Sequence, residues 1–105
     1  MSKVANALAA TQLKFAHFGW EKAPAGDYGV YGEESYNAFH AEGGYVLEQA
    51  EHGWVDYFTR SDDNSAKNTI ETELNKVEGI AWHLNTIQYE EDTHYNHYEW
   101  IYEAL

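Results

Sequence analysis

Between Tyr95 and Ala104 the chain alternates with a period of two: Tyr98, Trp100, Tyr102 and Ala104 fall on one side, His97, Glu99, Ile101 and Glu103 on the other. Side chains of a strand point to opposite faces in turn, so this segment must lie in a sheet whose two faces differ chemically. Parity alone does not say which face is buried. Residues 80–89 predict a hairpin partner for it, joined through Glu90-Glu91-Asp92-Thr93. A different period precedes the hairpin. Ala66, Ile70, Leu74 and Val77 stand at i, i+4, i+8 and i+11 behind Asp62-Asp63-Asn64-Ser65, whose carboxylates and hydroxyl suit a helix start, and Glu78-Gly79 ends the run.

The first half is read the same way. Val4, Ala7, Leu8 and Thr11, after Ser2 as a cap, predict a short amphipathic helix, and residues 13–20 a strand containing Phe15 and His17. The one proline, Pro24, marks a loop before a strand at 28–32. Residues 33–44 are polar apart from Tyr36 and Phe39 and end on Gly43-Gly44, which reads as a mobile hairpin arm and its tip. A strand at 45–50, a bulge or bend at Glu51-His52-Gly53 and a strand at 54–60 complete the order α-β-β-β-β-α-β-β. The expectation is one α+β domain over 1–105. It has a mostly antiparallel sheet of about five to six strands, two helices on one face, and the other face left for a partner.

Charge restricts function. Eighteen acidic against six basic residues give a formal charge of −12, which opposes gripping of nucleic acid or of an anionic membrane. The chain has no cysteine, so thiol catalysis, thiolate metal sites and disulfides are excluded. Lys3, Asn6 and Thr11 interrupt the N-terminal apolar residues, so neither a signal core nor a membrane span is expected there. Nine Tyr, four Trp and four Phe suit either subunit interfaces or ordinary strand positions.

Six histidines invite a metal or acid/base reading. His94 and His97 are three apart, which on a strand turns them to opposite faces, so they chelate one ion with Glu90, Glu91 or Asp92 only through a loop excursion. His17, His40, His52 and His83 have no partner at ligand spacing. The clusters Glu33-Glu34 and Glu90-Glu91-Asp92 fall in predicted turns, where water keeps carboxylates ionised. Nucleophile-elbow, phosphate-loop and dinucleotide motifs are absent. No catalytic residue, cofactor or metal is therefore expected, and a small metal- or ligand-binding domain is the alternative from another class.

Taken in order, Phe15-Ala16-His17-Phe18 after a helix, Pro24 before Tyr28-Gly29-Val30-Tyr31, the polar arm, Val55-Asp56-Tyr57-Phe58-Thr59-Arg60, the helix at 66–76, Ile80-Ala81-Trp82 and a closing segment ending His97-Tyr98-Glu99-Trp100 resemble the tail-completion, or tail-terminator, proteins of long-tailed bacteriophages. The likeness runs over nearly the whole chain. Neighbouring head-tail connector, stopper and minor capsid proteins of the neck share its size and style. The resemblance implies a structural virion protein, not an enzyme. It would be a hexameric ring, monomeric before assembly or not, that caps the tail tube, stops its polymerisation and joins it to the head connector. Its partners would be copies of itself, the major tail tube protein and the head-completion protein, with DNA only passing through. Its place would be the virion neck, assembled in the host cytoplasm. Glu33, Glu34, Tyr36, Phe39, Gly43 and Gly44 of the arm, with Tyr98, Trp100 and Tyr102 of the last strand, are the candidate subunit or tube interface.

Overall fold

The computed structural model describes residues 3–35 and 51–104. In chain order the elements are α1 (Lys3–Ala10), β1 (Phe15–His17), β2 (Tyr28–Ser35), β3 (Glu51–Thr59), α2 (Ser65–Asn75), β4 (Ile80–Glu90) and β5 (Tyr95–Ala104). The strands form one sheet in the order β1-β2-β3-β5-β4. This is the expected α+β class. Three of the four strand pairings are antiparallel, and β1 against β2 is parallel. A parallel pair requires the chain to return to the end at which it started, and residues 18–27 do this as a loop.

Both helices cover the same face. Val4 and Leu8 of α1 and Ile70 and Leu74 of α2 close over Val55, Tyr57, Tyr98, Trp100 and Tyr102. Parity is thereby decided: the Tyr98, Trp100 and Tyr102 side is the core, and the His97, Glu99, Ile101 side is the uncovered face. Trp100 and Tyr102 are almost wholly buried, yet each polar tip is satisfied. The Trp100 indole donates to the Glu71 carboxylate of α2 at 3.0 Å, and the Tyr102 hydroxyl donates to Glu51 at 3.1 Å. Burial, and next the Glu51 charge, raise the Tyr102 phenol above its ordinary pKa. Burial, with the charge of Asp27, pushes the Tyr57 phenol up to about 12.

Several boundaries differ from expectation. Glu51-His52-Gly53 is no bend: all three residues continue β3, opposite Ala104, Glu103 and Tyr102. The glycine marks a close approach. The Tyr102 ring lies where a Cβ on Gly53 would project, and the rings of Phe15 and Trp54 lie likewise over Gly29 and Gly32. Residues 33–35, expected as the start of the arm, continue β2: Glu33, Glu34 and Ser35 pair with Gly53, His52 and Glu51. Tyr36, Phe39, Gly43, Gly44 and the strand expected at 45–50 lie outside the described residues, as does Ser2. The last turn is shifted by one residue. Glu90 ends β4, and the reversal closes when His94, at φ 61°, donates its N–H to the Glu90 carbonyl at 2.8 Å.

Helix termini are held economically. Asn64 makes no side-chain capping bond; instead Asp63 accepts from the Ser65 N–H at 2.9 Å and from its hydroxyl at 2.5 Å. These bonds hold the Asp63 carboxyl below its usual pKa. At the end of α1 the Thr11 hydroxyl donates to the Leu8 carbonyl at 2.5 Å, which accounts for its burial on the apolar stripe.

Candidate functional site

Three residues offered as an interface from sequence, Tyr98, Trp100 and Tyr102, are core residues 6, 0 and 1 % exposed, and a partner cannot reach them without removing the helices. What the fold presents is the opposite face, bare of any element among the described residues. There Trp54 and Phe58 of β3 and Ile101 of β5 are half-buried, interleaved with Asp56, Glu99 and Glu103. The aromatics form contacts across strands. Phe58 stacks on Tyr28 with centroids 4.8 Å apart and on His97 at 4.2 Å, while Trp54 lies beside Phe18 at 6.2 Å. Phe18 is 60 % exposed and held at φ 67°, a conformation a bulky side chain rarely adopts.

Three histidines find carboxylates across strands, His17 and His52 without any partner at ligand spacing in the sequence. His17 meets Glu33 at 2.7 Å, His52 meets Glu103 at 3.2 Å, and His97 lies 3.1 Å from Asp56 and 3.6 Å from Glu90. The signal was in the sequence only as parity, since each pairing needs a register. The Asp56 hydrogen bond is the main cause raising the His97 pKa. Burial works against it, and the charges of Asp56, Glu90 and Glu99 add to it. His94 is turned elsewhere, its ring 2.7 Å from the Tyr89 hydroxyl. The loop excursion that a His94–His97 metal site requires does not bring the two together on one ion. Among the described residues no group of three His, Asp or Glu is disposed to hold a metal. Glu33, placed in the arm from sequence, bonds His17 on the sheet.

Arg60, just beyond β3, was not singled out from sequence. It donates from Nε to the Thr93 carbonyl at 2.9 Å and from Nη1 to the Ala25 carbonyl at 3.0 Å, with its guanidinium 4.0 Å above the Tyr95 ring. The Tyr95 hydroxyl donates to the Gly26 carbonyl at 2.9 Å, and Asp27 accepts from the Thr59 hydroxyl at 2.7 Å. Loop 18–27, the end of β3 and the last turn are thus tied together at one end of the sheet.

Such a face can bind a surface. No protein-family model matches the chain, and no curated protein aligns with it significantly. None of the described helices is long and apolar enough to cross a membrane.

Proposed function

We propose that the chain is a structural assembly subunit of the neck of a tailed phage or prophage, acting as a ring-forming tail terminator and not as an enzyme. The observation that supports this most is the one-sided sheet: helices bury one face, while the other offers half-buried Trp54, Phe58 and Ile101 between carboxylates. Half-buried aromatics amid polar residues are the composition of protein interfaces. The order of sequence motifs supplies the particular station. In this reading the face, or the expected arm at 33–44, meets the tail tube and the head connector. The formal charge of −12 per copy lets a duplex bearing one charge per roughly 1.7 Å pass without adhering.

Purified chain mixed with polymerising tail tubes should cap them at a constant length, and tailless heads should gain no ring. Unlimited tube growth together with heads that bind the chain would replace the terminator reading with the connector one. Trp54→Asp, which charges the open face without touching the helix-side core, should abolish capping while circular dichroism stays unchanged.

A further inference from the structure

We propose that copies of this chain join edge to edge, with β4 of one lying antiparallel to β1 of the next. The proposal rests on the ring reading above for closure and on the following geometry for the contact. The sheet ends in β1 on one side and β4 on the other, and through the chain of pairings these two strands run in opposite directions. Phe15, Gly29, Tyr57, Tyr98 and Ile87 form one row straight across it. A lateral repeat therefore sets Ile87 of one copy beside Phe15 of the next, both on the helix side, and Tyr89 beside Leu13.

Ile87 and Tyr89 are two of the large apolar side chains left most exposed, at 55 and 57 %, and they stand on an edge strand where exposed apolar residues invite pairing. Leu13 and Phe15 are half-buried, with surface left to cover.

Charge selects the same pairing. Lys3 donates to the Glu78 carbonyl, Lys67 and Lys76 pair with Glu71 and Glu73, and Arg60 is committed to the loops. Lys14, directly before β1, and Lys22, in loop 18–27, are the two basic side chains with no partner among the described residues, and Glu21 stands beside Lys22. At the far end of β4 stand Glu91 and Asp92, exposed and likewise unpartnered among the described residues. In a chain of formal charge −12, a contact between two β4 edges brings no uncommitted cation of the described residues to these carboxylates. A head-to-tail contact in the register above sets Lys14 opposite Gln88, at the end of β4 that leads into Glu91 and Asp92. Such a heterologous contact closes into a ring when the rotation between successive copies closes, which is what the ring reading supplies.

The absence of cysteine makes a direct test clean. In this register Ala16 of one copy faces Thr86 of the next, at the spacing a disulfide spans. Full-length Ala16→Cys and Thr86→Cys chains, mixed under mild oxidation with and without tail tubes, should yield the mixed disulfide well ahead of either homodimer. Lys14→Glu in the Thr86-facing partner should slow that cross-link roughly three- to tenfold. Gln88→Lys in the other chain, directly opposite in this register, should restore it. Homodimers alone, no cross-link in either condition, or a cross-link from Thr86→Cys to a tube subunit would overturn the edge pairing. Rings on tubes that lack the mixed disulfide overturn it while leaving the terminator reading standing. Cross-linked copies that never cap a tube support the pairing and overturn the terminator.

Discussion

His97 on the open face is the side chain whose protonation the surroundings most clearly favour. Its pKa is raised in the folded chain, chiefly by the Asp56 hydrogen bond. A raised folded pKa gives stability that is complete below the unfolded value of about 6.5 and is lost as pH rises through the folded pKa. His97→Gln should therefore lower stability by about 1 kcal/mol at pH 5.5 and by less at pH 8.5, read from urea midpoints at the two pH values. A constant difference would mean that only the neutral hydrogen bond and the stacking on Phe58 matter. The phenols work at the other end of the scale. Tyr57, pushed up to about 12 against an ordinary 10.0, favours the folded state fully below pH 10 and loses that contribution as pH rises toward 12. Alkaline unfolding should set in across that interval, and Tyr57→Phe should delay it. None of these partners could be read from residue types alone. His17, His52 and His97 were seen as strand residues, but Glu33, Glu103 and Asp56 become their neighbours only through register.

At the scale of elements, the two helices and the last two strands were legible, because periods of 3.6 and 2 survive in Val4, Ala7 and Leu8, in Ile70 and Leu74, and in Tyr98, Trp100 and Tyr102. Glycine misled. In sequence Gly53 suggests a bend, and in the sheet it makes room for the Tyr102 ring. Gly53→Ala should displace that ring, loosen its bond to Glu51 and cost about 2 kcal/mol, measured by thermal or urea unfolding. Gly26→Ala has nothing within 4 Å of the added carbon and should be nearly neutral. Equal losses at both sites would show that backbone freedom, and not the packed ring, is what glycine supplies. The parallel β1–β2 pair was also beyond reach, since a loop of this length permits either direction and only the closed sheet selects one.

Over the whole molecule, Arg60 joins pieces far apart in sequence, from Ala25 to Thr93, and holds one end of the sheet together. Arg60→Lys keeps the charge but loses the planar fork and the stacking on Tyr95, so it should cost about 1 kcal/mol and raise amide exchange in loop 18–27 ahead of the core. Uniform exchange would mean the tie carries no local order. The class of fold, the acidity that opposes nucleic-acid gripping and the lack of thiol chemistry were determined by the sequence itself. They follow from periodicity, net charge and composition, which need no third dimension. Tertiary structure alone decided that Tyr98, Trp100 and Tyr102 are core and that His97, Trp54 and Ile101 face outward. Alternation separates two faces, but only the docking of α1 and α2 says which of them water leaves.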